Sequence, residues 1–306
     1  MRRKAAVVVC SHRAEVTPWD RNGLEQCAAV LGHHDLFLVC RRGTATEEYE
    51  AVLAGLRIVP VAPRRMSSYL AYIDLETGSL LFRHFGRVYR YILCHEPDVF
   101  VFRDEFDGWC EQQYSFIGAP FFGAPPGDPD GEQVITGVGN SGFSLRDNDA
   151  HVRANRTFHL LQAPRSFRAS DDAGGADEAA ATAGSVRLRE LPVVALKALG
   201  VGNSTNEYLR KPYLRWRGKT FYEDVYWTQM AAPLLDWFRV ADPDIAMRLS
   251  FEFHPDRLFE MTDHRLPFGC NCWSRFGLEF WRPFIEAEGQ VLPAAEEFPA
   301  HGSTRR

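Results

Sequence analysis

Short apolar runs alternate with stretches of helical spacing through the first half of the chain. Helices are predicted from Thr17-Pro18 to Leu31 and over residues 67–85, and a Gly/Pro-rich loop is predicted over residues 118–131. The first helix has a capping pattern, with Thr17 as cap and Asp20 as its reciprocal partner. Strands and helices in alternation are typical of an α/β domain. We therefore predict a mixed, mainly parallel sheet flanked by helices. The runs that predict its strands are residues 5–10, 35–40, 56–61, 91–94 and 115–119.

The second half of the chain is less regular. Residues 139–142 predict a glycine turn that leads into a strand, and Asp147 is the expected cap of the next helix. Residues 162–185 are rich in Asp, Ala and Gly, which predicts a disordered insertion. We predict a single domain over residues 1–290 that contains this insertion, and a loose tail over 291–306. The other predicted elements are a helix over 221–237, a short helix from Asp242-Pro243, a loop over 266–273 and a helix over 278–287.

Composition narrows the class of protein. The chain has 35 Lys and Arg against 40 Asp and Glu, and this net charge of −5 argues against a general nucleic-acid binder. Its seven cysteines are odd in number, and several lie inside apolar runs, which predicts reduced thiols rather than a disulfide framework. We find no window long enough to cross a membrane and expect a cytoplasmic protein.

An acidic segment, Glu96-Pro97-Asp98, follows the predicted strand 91–94. Ligands of open α/β sheets bind at the carboxyl ends of the strands. Magnesium is usually held by one or two carboxylates together with substrate phosphates. Glu96 and Asp98 are therefore candidate ligands for Mg²⁺ or Mn²⁺ on a diphosphate, and the alternative is a polar turn.

Two further carboxylates, Glu223 and Asp224, stand at a predicted helix start. A carboxylate in the first turn is stabilised by the helix dipole, which is one sufficient explanation. The functional alternative is a general base that removes the proton of an attacking hydroxyl.

Residues 139–142, Gly-Asn-Ser-Gly, form a third candidate and are named the glycine segment here. Glycine permits positive φ and close approach of the backbone to a ligand, so Asn140, Ser141 and Gly142 could form one wall of a sugar site. The alternative is an ordinary turn before a strand.

The end of the first predicted strand is a fourth candidate. Ser11, His12 and Arg13, with Glu15 beyond, would meet the base and ribose in a nucleotide-binding α/β domain. A polar loop explains the same residues.

In this order, the motifs resemble a bacterial family of predicted glycosyltransferases with a GT-A-like fold, described mainly as a domain of unknown function. Asn271 stands where the family has a histidine, and Ser141 where it has a glycine. The resemblance covers about residues 5–285 apart from the insertion. The motifs that carry it are Y-I-L…D…V-F over residues 91–102, W-C…Y…I-G-A-P over 109–120, G-N-S-G-F-S-L-R over 139–146, E-D-V-x-W over 223–227, L-S-F-E over 249–252 and L-P-F-G-C-N-x-W over 266–273.

The resemblance implies a metal-dependent transferase of the hexosyltransferase class. Its donor would be a nucleotide-sugar, most simply a UDP-sugar, and its acceptor a hydroxyl of a glycan or another molecule. The cofactor would be Mn²⁺ or Mg²⁺, and transfer would proceed with inversion. The implied residue roles are metal binding for Asp98, Glu96 and Asn271, donor binding for Ser11, His12, Arg13, Glu15 and Asp98, acceptor or sugar binding for Asn140, Ser141, Gly142 and Trp273, and catalysis for Asp224 and Glu223.

Two other functions remain open at the level of sequence. A degenerate transferase could bind a nucleotide-sugar or glycan without turnover, which Pro97 and Asn271 favour. A metal-dependent phosphohydrolase could use the same carboxylates, although no histidine cluster typical of such enzymes is evident in the sequence.

Overall fold

The structure of the chain is a computed structural model that describes residues 3–11, 13–124, 131–160 and 222–293. His12, the predicted insertion over 162–185 and the tail beyond residue 293 lie outside the described residues.

Nine strands and ten α-helices can be assigned within the described part of the chain. The strands are β1 (Arg3–Cys10), β2 (Leu36–Arg41), β3 (Arg57–Val61), β4 (Tyr89–His95), β5 (Phe100–Val101), β6 (Phe116–Gly123), β7 (Val134–Asp147), β8 (Ser250–Phe251) and β9 (Gly269–Cys270). The helices are α1 (Pro18–Leu31), α2 (Glu47–Val52), α3 (Tyr69–Thr77), α4 (Ser79–Phe85), α5 (Phe106–Glu111), α6 (Asn148–Leu160), α7 (Glu223–Val225), α8 (Pro243–Leu249), α9 (Pro255–Met261) and α10 (Leu278–Ala287). Helix α7 continues into a π-helical turn (Tyr226–Ala231) and a 3₁₀ turn (Ala232–Leu234).

The central sheet has six strands in the order β3-β2-β1-β4-β7-β6. Strands β3, β2, β1 and β4 are parallel to their neighbours, and β7 is antiparallel to both β4 and β6. Five of the six strands therefore run in one direction, and the predicted mixed, mainly parallel sheet is confirmed. The carboxyl ends of β1 and β4 meet at one edge of this sheet.

Alternating side chains of β1 enter the two cores of the protein. Ala6, Val8 and Cys10 face one apolar cluster, and Val7 and Val9 face the other. This two-residue period places successive side chains on opposite faces of a strand. Both faces of the sheet are covered, which explains why β1 is an unbroken apolar run.

A smaller sheet of order β5-β9-β8 completes the fold. Strand β5 is antiparallel to β9, and β8 is parallel to it. Its aromatic core includes Trp19, Trp273 and Trp281. This sheet holds the chain directly after the acidic segment, because β5 begins two residues after Asp98.

Local sequence signals explain several boundaries. The Thr17 hydroxyl accepts the Asp20 N–H at 3.1 Å and the Asp20 carboxylate accepts the Thr17 N–H at 3.1 Å, so the predicted capping box is present. The Asp147 carboxylate accepts the N–H groups of Asp149 and Ala150 and caps α6 as predicted. All seven cysteines are free, as predicted.

Two helix predictions are wrong in extent. The predicted helix over 67–85 is divided into α3 and α4 because Gly78 is extended, with ψ of 162°. The predicted helix over 221–237 ends at Leu234, one residue after Pro233, and its middle is a π-helical turn.

Three predicted turns or loops are partly strands. The glycine segment lies inside β7, where the pairing with β6 shifts register between Leu145 and Asn140. The predicted loop over 118–131 begins only after Gly123, because β6 is an edge strand and tolerates Pro120. The predicted loop over 266–273 contains β9.

Among the described residues, no helix has the length and apolar character that a membrane span requires.

Candidate functional site

The acidic segment lies at the carboxyl end of β4, where the chain passes from the central sheet to the smaller sheet. Glu96 and Asp98 are partly buried and Pro97 is buried. The Glu96 N–H donates to the carbonyl of Gly142 at 2.9 Å, and the Val99 N–H donates to the Glu96 carbonyl at 3.1 Å. The backbone of the acidic segment is thus tied to the glycine segment.

Negative charge is concentrated around the acidic segment. Burial raises the pKa of Glu96 to about 8, and the neighbouring carboxylates of Asp98, Glu223 and Glu252 add to this effect. Burial also raises the pKa of Asp98, with a further contribution from Asp20. Like charges in a partly buried pocket disfavour ionisation, and a bound cation would remove that penalty.

Glu252 follows β8 and is a member of the site that sequence reasoning did not assign. It is buried, and burial raises its pKa to about 7, against hydrogen bonds from Asn271 and Asn140 that lower it. The Asn271 Nδ2 donates to Glu252 Oε2 at 2.9 Å. The L-S-F-E motif marks this position, but only the folded chain brings it to Asn140.

Glu223 belongs to a buried charged cluster with Arg146 and Glu76. Arg146 is fully buried, with one guanidinium nitrogen 3.5 Å from Glu223 Oε1 and the other 3.9 Å from Glu76 Oε1. The pKa of Glu76 lies well above its usual range because of burial, the charge of Glu223 and a hydrogen bond to Glu223. A protonated Glu76 can donate this hydrogen bond to Glu223, which also pairs with Arg146.

Asp224 is more accessible than its neighbour Glu223. It is partly buried, while only 4% of Glu223 is exposed. Asp224 Oδ1 accepts the N–H of Val225 at 2.6 Å. Burial and the adjacent Glu223 raise the pKa of Asp224 well above its usual range. Of the two predicted catalytic carboxylates, Asp224 is therefore the more accessible to solvent.

Comparison with known families identifies the chain. Residues 55–271 match the family DUF5672, described as a protein of unknown function, and this span is most of the chain. The chain belongs to the DUF5672 family. None of the curated protein sequences matches it significantly.

Several solved glycosyltransferase structures are similar in fold to this DUF5672 protein, each at 11% identity. Core-mannan synthase A from Aspergillus fumigatus, in a form with Mn and GDP, aligns over 49% of this chain and 60% of that chain, with a TM-score of 0.35. Glycosyltransferase GlyE from Streptococcus pneumoniae aligns over 92% of this chain and 60% of that chain, with a TM-score of 0.40. Mouse xyloside xylosyltransferase 1 aligns over 88% and 97%, with a TM-score of 0.44. The chain thus spans less than two thirds of the first two proteins.

The end of β1 in this DUF5672 protein is polar, and Ser11 and Arg13 already have partners within the protein. Ser11 is buried, and its hydroxyl accepts a hydrogen bond from the Tyr49 hydroxyl at 2.7 Å. Arg13 pairs with Asp20 at 3.2 Å. Its positive charge also lowers the pKa of Asp98, which offsets part of the rise caused by burial. Glu15 is exposed. Of these three, Arg13 is placed to meet an anionic ligand beside Asp98.

Trp273 is fully buried in the DUF5672 fold. Its ring lies 5.5 Å from that of Trp19 and 6.2 Å from that of Phe100. A sugar needs an exposed ring face on which to stack, so this placement favours a core role for Trp273.

Gly142 is required for close packing beneath the site. A Cβ atom at this position would lie 2.1 Å from Asn271 Nδ2 and 2.6 Å from Asn271 Oδ1. The Asn271 amide therefore rests on the Gly142 backbone while it donates to Glu252. The glycine segment and the segment after β9 are therefore in direct contact at Gly142 and Asn271.

The oxygen ligands of this edge fit a hard divalent cation. Glu96, Asp98 and Glu252 supply carboxylates, and within the described chain Asn271 Oδ1 is buried without a hydrogen-bond partner. These carboxylates do not form a closed cage, since among the described residues only one group of three His, Cys, Asp or Glu ligand atoms lies within 4.8 Å, and it is elsewhere. One or two carboxylates completed by substrate phosphates is the usual way in which magnesium is bound.

Helix α1 packs closely against the backbone of the acidic segment, and one substitution tests this contact. A Cβ atom on Gly23 would lie 2.3 Å from the carbonyl oxygen of Val99 and 2.7 Å from that of Pro97. We expect Gly23→Ala to lower the free energy of unfolding by about 1–3 kcal/mol, because backbone must move to admit the methyl group. Urea unfolding followed by circular dichroism measures this change.

A second helical glycine provides the matched control. A Cβ atom on Gly108 in α5 would contact nothing within 4 Å. Gly108→Ala should raise the free energy of unfolding by about 0.5–1 kcal/mol, as expected when alanine replaces glycine inside a helix. Equal effects of the two substitutions would contradict the packing of α1 on the acidic segment.

Proposed function

We propose that this protein is a metal-dependent glycosyltransferase. It would move a sugar from a nucleotide-sugar donor, with a UDP-sugar as the first candidate, to the hydroxyl of a glycan or another acceptor. The supporting observation is that the carboxylates after β4 and at the start of α7 lie close enough to perturb one another. Glu223 raises the pKa of Glu96, and Glu252 raises the pKa values of both Glu96 and Asp224.

The donor would lie along the carboxyl ends of β1 and β4. Asp98 and Glu96 would hold Mn²⁺ or Mg²⁺, with Asn271 as a further oxygen ligand. When bound, the ion supplies Lewis-acid stabilisation of the diphosphate leaving group. The cation of Arg13 would face the same diphosphate, and we assign contacts with the base and ribose to Ser11, His12 and Glu15 from the sequence.

The acceptor would lie between the glycine segment and α7. Asp224 would take the proton of the acceptor hydroxyl as that oxygen attacks the anomeric carbon. The nucleoside diphosphate would leave from the opposite face of the sugar, which inverts the configuration. The raised pKa of Asp224 makes its carboxylate a stronger base. Asn140 and Ser141 would position the sugar beside it.

A thermal-shift screen tests the donor side of this proposal. We expect UDP-sugars with Mn²⁺ to raise the melting temperature by about 5 °C or more at a hundredfold excess over Kd, because they bind only the folded state. Asp98→Asn should remove the shift that depends on Mn²⁺. Asp107→Asn is the matched control, since Asp107 is an exposed aspartate of α5.

The outcomes separate the candidate functions. Retention of the Mn²⁺-dependent shift in Asp98→Asn would contradict the assigned metal ligand. Binding with neither sugar transfer nor donor hydrolysis would identify a degenerate binding module instead. Release of sugar without any need for an acceptor would identify a hydrolase.

A further inference from the structure

A second cluster of metal-ligating side chains lies away from the acidic segment. His33 and His34 stand in the turn between α1 and β2, and Asp104 stands between β5 and α5. This turn precedes the amino end of β2, whereas the candidate active site lies at the carboxyl ends of the parallel strands. The sequence pattern gave no hint of this cluster because Asp104 is 70 residues after His34.

Both histidines approach the same oxygen atom. Nε2 of His33 lies 2.9 Å from Oδ2 of Asp104, and Nε2 of His34 lies 3.0 Å from it. One ligand atom from each of the three residues lies within 4.8 Å of the other two, and no other such group of His, Cys, Asp or Glu occurs in the described part of the chain.

Surrounding contacts orient two of the three ligands. Asp104 Oδ1 accepts the N–H of Phe106 at 3.0 Å, which leaves Oδ2 directed at the histidines. The ring of His34 packs edge-on against the ring of Phe106 at 5.1 Å. Only 16% of the His34 side chain and 29% of the Asp104 side chain are exposed, against 64% for His33. His34 and Asp104 are thus held in place, and His33 closes the group from the solvent side.

Two of the three separations between ligand atoms are close to those of a zinc site. Zinc binds histidine nitrogen and carboxylate oxygen at about 2.0–2.2 Å, so neighbouring ligands of a tetrahedral ion lie about 3.3 Å apart. The observed separations of 2.9 and 3.0 Å need to open by only a few tenths of an ångström. Imidazole and carboxylate together suit zinc, whereas the all-oxygen set at the acidic segment suits magnesium or manganese.

We propose that His33, His34 and Asp104 bind one zinc ion, with water as the fourth ligand. The ion joins the turn before β2 to the connection between β5 and α5. It therefore links the turn that enters β2 of the central sheet to the segment that leaves β5 of the smaller sheet. This site is independent of the proposed transferase activity.

Calorimetric titration of the full chain with zinc chloride tests the proposal, because each ligand can be removed separately. His34→Ala and Asp104→Asn should each weaken the zinc affinity at least about 100-fold, the upper range seen when even an outer-shell partner is removed. Asp104→Asn is the conservative variant, since its amide oxygen can still accept the Phe106 N–H. Cobalt substitution provides a second readout, as the visible absorption of bound Co²⁺ should disappear in the same variants.

Two matched controls should keep the wild-type zinc affinity. His84→Ala removes an exposed histidine of α4 outside the cluster. Asp98→Asn removes a carboxylate of the candidate active site. Zinc binding at wild-type affinity by a folded His33→Ala/His34→Ala double variant would overturn the proposal, and so would loss of the zinc site in Asp98→Asn alone.

Discussion

Replacing Asp224 by asparagine is expected to lower kcat for sugar transfer by about 10²–10⁴-fold, which is the usual contribution of a general base. Asparagine has nearly the same shape but cannot accept the proton of the acceptor hydroxyl. KM for the donor should change little, because the proposed donor site is the acidic segment and not Asp224. Steady-state kinetics with the donor identified by thermal shift measures both constants.

The neighbouring Glu223→Gln variant distinguishes catalysis from structural support. Glu223 is the buried partner of Arg146, so its replacement should lower the melting temperature as well as the activity. Asp224→Asn should lower the activity with little change in melting temperature. Wild-type turnover by Asp224→Asn would exclude this residue as the base.

The second large effect is expected at Arg146. Arg146→Met should lower the free energy of unfolding by about 3–5 kcal/mol, the range found when one partner of a buried ion pair is removed. The substitution leaves Glu223 and Glu76 buried without their cation and also removes the guanidinium from the face of Phe116, 5.3 Å away. Chemical unfolding measures the change.

A surface ion pair gives the baseline for this prediction. Arg282 is partly exposed and pairs with the exposed Glu279 in α10 at 3.1 Å. Arg282→Met should therefore cost less than about 1 kcal/mol. The triple variant Arg146→Met/Glu76→Gln/Glu223→Gln should recover part of the lost stability, because it removes the buried charge. A cost for Arg146→Met no larger than for Arg282→Met would contradict the buried cluster.

The parts of the fold that depend on local sequence could be predicted. In a chain of alternating strands and helices, an unbroken apolar run such as β1 is expected to be a strand that is covered on both faces. Thr17 and Asp20 contact only each other's backbone, so their capping box needs no tertiary information. The acidic segment could be placed at a strand end for the same reason.

Residues whose role depends on distant partners could not be predicted. Glu76 lies in α3, and its partner Arg146 is 70 residues away in β7. Glu252 follows a strand of two residues, and its hydrogen bonds with Asn140 and Asn271 form only in the folded chain. The glycine segment has the composition of a turn, yet β4 and β6 pair with the two ends of β7 and hold it extended.

The hydrogen bond from Glu96 to Gly142 has a consequence for altering the substrate range of this protein. It continues the pairing of β4 with β7 by one residue, so the acidic segment and the glycine segment are held at the spacing of paired strands, about 4.8 Å. Lengthening a loop would therefore not move these two segments apart. Under the proposed function, a change of specificity would have to come from substitution of side chains, with Asn140 and Ser141 as the first positions to vary.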